Sequence, residues 1–507
     1  MTRSIPETER KYEAPSPDET AWLPSLTGAG AIASVVDQGA QELDAVYYDT
    51  DDLRLARGSV TLRRRTGGTD AGWHLKLPLG GDSREEIREP LSDDLPDSLR
   101  DLVVSRTRGA PLVPVVRLRS SRTLRHLVDE EGTVLAELAV DTVRAKPLLT
   151  GGEKARWREL EVEVADTAHA AVLDDVEAVL RAAGAVPARA SSKLARALAD
   201  TGVDAARPTP TRSAVRPGSA GEQVLAYLDE RVRALVDVDP AVRRELPDAV
   251  HTMRTTCRRL RSCLRAYRSV LGRRATDPVR DELKWLAGEL GAERDQEVLL
   301  ERLRSGLRDL PPELVLGPAE ARLRAWGVAR QSAARDRTLA ALRSPRYLAL
   351  LDALEDLVAR PPLRAKAAKK PRKVMAKAVE KAHAKFARRM RHALEQPAGA
   401  ERDAALHEAR KAAKTVRYAA EAAGPALGGK ADRARKHVKA VQKALGDHHD
   451  GVVARQTLRE HALAAHHAGE PGFTWGLLYG REQAAGARLE EERVPARWKK
   501  AARLRLR

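Results

Sequence analysis

The chain has 507 residues, 43% of them hydrophobic, with a formal net charge of +18. That length suits two or three domains, the hydrophobic content excludes a disordered chain, and no run reaches the roughly 18 apolar residues a membrane span needs. Aromatic residues make up only 3%, with two Phe, which argues against a nucleic acid held by base stacking.

In chain order, the first element is a strand around IPETERKYEAP, in which Glu7, Glu9 and Lys11 lie two apart and so share one face. No apolar stretch follows Arg3, so no secretory signal is read and a cytoplasmic location is expected. From about residue 40 to 165 strand-like runs alternate with turn signals: AVYYDT, SVTLRRRTGGTDAGWHLKLP, VVRLRSSRTLRHLVDEEGTVLAELAVD and WRELEVEV. TGGTDAG and DEEG read as hairpin turns, where glycine supplies positive φ. Arg63 and Arg65 share a face with Thr61, Glu137 shares one with Asp141, and Glu159, Glu161 and Glu163 share another, each opposite apolar residues. Lys76 adds a charged face in WHLKLP. Like charges in rows are destabilising unless something opposite lies across from them. A sheet closed into a barrel with these faces inward would hold divalent metal on its carboxylates and phosphate oxygens on its Arg and Lys.

Helices are predicted over TAHAAVLDDVEAVLRAAGA and SSKLARALAD, followed by the Pro-, Gly- and Ser-rich TGVDAARPTPTRSAVRPGSAG, read as a linker at 205–219 between domains at 1–204 and 220–507. Beyond it the sequence is helical throughout, with breaks expected at DVDP, ATDP, DLPPE, RSPR and ARPPL. The charge divides unevenly: residues 1–200 hold 27 Lys and Arg against 34 Asp and Glu, and residues 201–507 hold 63 against 38. The second part is therefore basic enough to gather polyanions. Cys257 and Cys263 lie six apart on one helix, on different faces, and are expected to be neither bridged nor metal-bound.

The helical part repeats itself, as approximately 220–360 and 375–507. HTMRTTCRRLRSCLRAY at 251–267 aligns with HEARKAAKTVRYAAEAA at 407–423, placing His251, Arg254, Arg258 and Arg261 on His407, Arg410, Lys414 and Arg417. LGAERDQEV at 290–298 aligns with LGDHHDGVV at 445–453, pairing Asp295 with Asp450, both expected to orient neighbouring arginines. Helical spacing puts each basic set in one stripe beside an apolar one. Two facing rows, reinforced by Lys377, Lys381, Lys385, Arg388 and Arg389, would line a groove for a long anion that is rich in phosphate and poor in bases.

ETERK, YYDTDDLRLARGSVTLRRR, WHLKLP with REE, RTLRHLVDEEGTVLAELAVD, WRELEVEV and SSK occur in the order found in CYTH domains, the triphosphate tunnel metalloenzymes, and residues 5–200 resemble that family. The helical repeat, roughly 220–505, resembles a CHAD domain. The resemblance implies an α+β chain, an eight-stranded antiparallel tunnel followed by two repeated helical bundles. It implies hydrolysis or cyclisation of triphosphate with Mg2+ or Mn2+. Metal would be held by Glu7 and Glu9 with two or more of Glu159, Glu161 and Glu163. Glu7, Glu9, Lys11 and Asp141 would form the catalytic set, Asp141 orienting either the groups around the metal ligands or the water, and Lys11, Arg63, Arg65, Lys76, Arg84, Arg122 and Lys193 would bind the phosphates. Arg117 and Arg119 are further candidates whose strand register the sequence leaves open. Polyphosphate would lie on His251, Arg254, Arg258, Arg261, Lys381, Lys385, Arg388, His407, Arg410, Lys414 and Arg417.

The leading expectation is a metal-dependent triphosphatase acting on inorganic triphosphate, with polyphosphate as the partner of the helical part and polyphosphate granules as a place of association. The alternative is a non-catalytic polyphosphate-binding or granule-associated protein. Nucleic-acid binding ranks below both, because the basic residues repeat in register instead of scattering. No membrane partner is expected, and oligomeric state is left open.

Overall fold

The computed structural model describes residues 3–13, 22–80, 83–149, 152–165, 170–203 and 215–504, so most of the expected linker lies outside the described residues. The chain divides into two compact units, Met1–Pro208 and Thr209–Arg507.

The first unit is a closed barrel. Its strands are β1 (Arg3–Glu13), β2 (Ser34–Asp49), β3 (Thr61–Thr66), β4 (Gly72–Gly80), β5 (Ser83–Pro90), β6 (Val113–Val128), β7 (Val134–Pro147) and β8 (Ala155–Val164). They are ordered β5-β4-β3-β2-β6-β7-β8-β1, every pair antiparallel, and β1 closes the ring by pairing with β5. Closure depends on β1 changing partner midway: Arg3–Thr8 face β5, whereas Glu9–Glu13 face β8. The expected TGGTDAG turn joins β3 to β4, and Gly67 takes φ 81° there; a Cβ at this position would overlap the carbonyl oxygen of Glu42. A two-residue β9 (Val186–Pro187) adds to the edge of β1.

Because inward positions are charged, much of the apolar core lies outside the ring. Leu62, Leu75 and Ile87 point outward onto α2 (Asp97–Thr107), packing with Leu99, Leu102 and Val103 and with Leu55 of the short α1 (Arg54–Arg57). Tyr12, Leu138, Leu160 and Val162 pack outward on Leu173, Val176 and Leu180 of α3 (Ala171–Ala182). The exception is one end of the barrel. There the inward Ala45, Leu118, Val143 and Trp157 meet Leu194, Ala197 and Leu198 of α4 (Lys193–Asp200), which plugs it. Each fully buried aliphatic side chain contributes about 1.5–3 kcal/mol, so a charged lumen is tolerated because these three apolar layers surround it.

The second unit is all helical: α5 (Ala220–Asp237), α6 (Asp239–Arg243), α7 (Ala249–Ala266), α8 (Arg273–Arg308), α9 (Ala319–Arg343), α10 (Pro345–Ala359), α11 (Pro371–Glu395), α12 (Ala400–Ala422), α13 (Gly424–Leu427), α14 (Gly429–His467), α15 (Phe473–Arg488) and α16 (Val494–Ala502). The repeat is visible as two long helices, α8 of 36 residues and α14 of 39, each following a stripe-bearing helix, α7 or α12. Met253, Cys257 and Leu260 of α7 and Leu406, Ala409, Ala413 and Val416 of α12 are buried in one core, as the apolar stripes required. Both cysteines are buried and free.

The expected breaks appear at DVDP, DLPPE, RSPR and ARPPL, but not at ATDP, where α8 runs through Pro278. Proline there forfeits one hydrogen bond. The helix continues because Val279, Leu283, Leu286 and Leu290 behind it are buried, while Asp277 ties Arg273 at 3.1 Å and Arg280 at 2.7 Å. No helix among the described residues is long and apolar enough to cross a membrane.

Candidate active site in the barrel and the basic face of the helical unit

The barrel encloses a cavity of about 380 Å3 above the α4 plug. Strand alternation delivers its lining in three groups: Glu7, Glu9 and Lys11 from β1; Arg63 and Arg65 from β3 with Lys76 from β4; and Arg122 from β6 with Glu161 and Glu163 from β8. Arg84 from β5 and Lys193 from the start of α4 also reach it. Ser192 caps α4 by accepting from the Ala195 N–H at 3.1 Å, which aims Lys193 inward.

The acidic wall is crowded. Glu9 lies directly across from Glu163, and Lys11 across from Glu161, which it contacts while also reaching Glu9 at 3.0 Å. Glu7 pairs with Lys76 and with Arg88 at 3.2 Å. Burial, then the charge of Glu7, raise the Glu163 carboxyl to about 7, and burial likewise raises Glu7. The cationic wall is crowded in turn: burial, then Arg63 and Arg122, lower Arg65 despite its contact with Asp70.

Asp141 and Glu159 are buried behind this surface. Arg122 grips Asp141 with two hydrogen bonds of 2.9 and 2.7 Å and reaches Glu161 at 2.9 Å. Lys193 lies among Asp141 at 2.9 Å, Glu159 at 2.9 Å and Glu161 at 2.5 Å. Glu159 also accepts from the Trp157 indole at 2.7 Å. Asp141, Glu159 and Glu161 are close enough together to share a metal ion, yet the Lys193 ammonium already sits among them. Arg117 and Arg119, whose register the sequence left open, fall on the opposite parity from Arg122 and bind Asp44 outside the lumen, at 2.5 and 3.2 Å.

Three site residues, Glu86, Arg88 and His74, were not anticipated. Glu86, fully buried on β5, contacts Arg88, His74 at 3.0 Å, Arg63 at 3.4 Å and Lys76 at 3.5 Å. Burial alone would raise its pKa, but His74, Lys76 and Arg63 outweigh burial and hold it well below the usual carboxylate range. Burial lowers His74 to about 4, and its other nitrogen lies against the Asp70 carbonyl at 2.9 Å. The signal was present in SREEIREP: Arg84, Glu86 and Arg88 share parity, so placing Arg84 inward places the other two there.

In the helical unit, α7 and α12 pack together and bring Arg254, Arg258, Arg410 and Lys414 into one cluster. Burial, then Arg410, Arg258 and Arg254, lower Lys414 to about 7. Arg254 binds Asp295 at 2.7 Å and Arg410 approaches Asp450 at 3.8 Å, the same contact in each repeat. His407 meets His449 at 3.2 Å beside this cluster, while His251 is exposed at the start of α7. Arg261 and Arg417 turn elsewhere, Arg261 under the influence of Arg280 and Arg265, Arg417 onto Gln442 at 3.1 Å and over the Tyr418 ring. Lys385 is depressed by burial, then by Arg265, Arg389 and Arg388, so α11 forms a second basic row with the end of α7, and Lys381 lies on it.

Residues 6–198 match the CYTH domain family and residues 226–459 the CHAD domain family. Two uncharacterized proteins of Mycobacterium tuberculosis, from strains CDC 1551 and H37Rv, are each 40% identical over 501 residues, covering 96% of this chain and 94% of theirs. Among solved structures, PptA from Streptomyces chartreusis is similar at 21% identity and a TM-score of 0.47, covering 55% of this chain and 99% of its own. The CHAD domain from the plant Ricinus communis is similar at 26% identity and a TM-score of 0.45, covering 57% and 93%.

Proposed function

The chain belongs to the CYTH–CHAD family, and from that premise we propose that its barrel hydrolyses triphosphate, inorganic triphosphate foremost, while its helical unit binds polyphosphate. The observation that carries the reading is the divided lumen. Carboxylates line one wall, where burial and then Glu7 push the Glu163 carboxyl up to about 7, and guanidiniums line the other, where burial and then Arg63 and Arg122 lower Arg65. A divalent cation bound to a triphosphate relieves both at once.

The donor set fits such a cation, because Glu7, Glu9, Glu161 and Glu163 offer only carboxylate oxygens, the preference of Mg2+ and Mn2+ over softer metals. Glu9 and Glu163 lie directly opposed on β1 and β8, where a cation between them would offset their repulsion. When bound, the metal would polarise phosphate oxygens and make water a better nucleophile. Lys11, Arg63, Arg65, Lys76, Arg84, Arg122 and Lys193 would hold the phosphate chain and neutralise charge on the leaving group, the main requirement of phosphoryl transfer. Asp141, gripped by Arg122 and in contact with Lys193, would act by fixing those two cations. Tyr47 is the aromatic residue of the lining and its hydroxyl accepts from Arg63 at 3.4 Å, so the cavity offers no evident plate for a nucleobase, which favours an inorganic substrate over a nucleotide.

The test is orthophosphate release by the full chain from inorganic triphosphate, ATP and long-chain polyphosphate, with Mg2+ or Mn2+. Release from triphosphate that Glu9→Ala abolishes is expected. Absence of release from all three, with triphosphate still bound, would make the barrel a receptor and leave polyphosphate binding as the function.

A further inference from the structure

The stripe on α7 and α12 is the obvious place for a polyanion, but two of its arginines, Arg254 and Arg410, already have carboxylate partners in Asp295 and Asp450. A different part of the helical unit has none. Where α7 ends and α5 and α11 begin, a cavity of about 830 Å3 is lined by eight Lys or Arg residues and no carboxylate. Arg268 stands at one side, Lys366 on the loop between the repeats, and Lys373, Lys377 and Lys381 project at four-residue intervals from one face of α11. Among the described residues none of these five is ion-paired.

The cations are held in place by the backbone. The loop between α10 and α11 is pinned to the end of α7 by Gly272 N–H to Pro362 O and Arg364 N–H to Val270 O, both 2.8 Å. It is pinned to the start of α5 by Ala220 N–H to Lys369 O and Gly221 N–H to Ala367 O, both 2.9 Å. Ala367 is buried, and a Cβ on Gly221 would lie 3.1 Å from its methyl, so the close approach favours glycine. The first N–H groups of α5 are therefore spent on the loop, and the binding capacity of the cavity resides in side chains.

The lining also extends. A second hollow of about 340 Å3 shares Arg268, Ser269 and Lys366 with the first and adds Arg273 and Arg364. Basic residues thus continue on both sides of Arg268 and Lys366, which suits an elongated ligand. Neither hollow is lined by an aromatic ring, so bases would find no platform.

We infer that this cavity is a second polyanion site, in which Lys377 and Lys381 act with Arg268, Lys366 and Lys373 instead of reinforcing the α7 and α12 stripe, and that it takes a segment of a linear phosphate chain. The inference rests on the reading of the helical unit as polyphosphate-binding and moves the principal contact from the repeated stripe to the junction of the repeats. Its charges repel one another in the free protein and are compensated only when the chain is bound.

Binding of polyphosphate of defined length to the full chain, titrated at several salt concentrations, tests it. The triple variant Lys373→Ala/Lys377→Ala/Lys381→Ala is compared with Lys436→Ala/Lys439→Ala/Lys443→Ala, which removes the same charge from exposed positions of α14. The cavity variant is expected to lose about tenfold or more in affinity and to flatten the salt dependence by about three counterions, the α14 variant far less. Equal losses in the two variants would overturn the site, and so would a larger loss from Arg258→Ala/Lys414→Ala, which would return the contact to the stripe. Single-stranded nucleic acid of equal charge that binds as tightly and loses as much would overturn the phosphate-chain assignment. Wild type that binds no polyphosphate at all would instead overturn the reading on which the inference rests.

Discussion

Glu86 shows how one buried side chain organises the cations of a site. Sealed from solvent, it supplies the negative partner for Arg63, Lys76 and Arg88 and the acceptor for His74. Glu86→Gln would leave those cations facing one another and is expected to cost about 3–5 kcal/mol, read from urea unfolding; a change under about 1 kcal/mol would remove this role. Lys414 makes the converse case in the helical unit. Its folded pKa of about 7 lies below the 10.5 of a free lysine. Between those values the unfolded chain holds more protons than the folded one, so this residue makes stability rise with pH across that window. Wild type should gain on going from pH 7 to pH 10 relative to Lys414→Met, and parallel pH profiles would rule the charge crowding out. Residue parity made Glu7, Glu9, Arg63, Arg65, Lys76 and the β8 glutamates legible, because a strand sends alternate side chains to one face. Glu86 and Arg88 obey the same parity but are short of any stand-alone pattern, and His74 gains its meaning only from the acid beside it.

Among the elements, α4 is the least conspicuous and the one on which the cavity most depends. Its apolar face closes one end of the barrel, and its first residue is Lys193. Ser192→Ala removes the cap and should cost about 1 kcal/mol, while raising KM for triphosphate several-fold through loosened Lys193. An unchanged KM would show that Lys193 is held by its carboxylate partners alone. The helix was plain from its period, but no local signal says that it inserts into a barrel instead of packing outside like α2 and α3. The unbroken course of α8 through Pro278 has the same origin: the apolar residues beyond the proline are buried against other helices, and that burial outweighs a local breaker.

At the scale of the molecule, two compact units with separate cores are expected to unfold separately. Calorimetry should resolve two transitions, the first unit's raised by triphosphate with Mg2+ and the second's by polyphosphate, with a chelator abolishing only the former shift. One transition raised by both ligands would show that the units are coupled. The repeat and the uneven charge announced the helical unit and its basic character, and the ordered charged strands announced the tunnel, because periodicity and composition are local properties. Which cations remain uncompensated is not local. Two arginines of the stripe that repeats in the sequence, Arg254 and Arg410, are already paired with Asp295 and Asp450, whereas the basic hollow at the repeat junction joins the α11 lysines to Arg216, Arg268 and Lys366, which are remote from them in sequence. The chain alone thus determined the two architectures, the inward charges of most barrel strands and the sign of the helical surface. The tertiary structure decided which charges meet, since electrostatic compensation depends on distances between residues remote in sequence, and with that it decided where an anion would be needed.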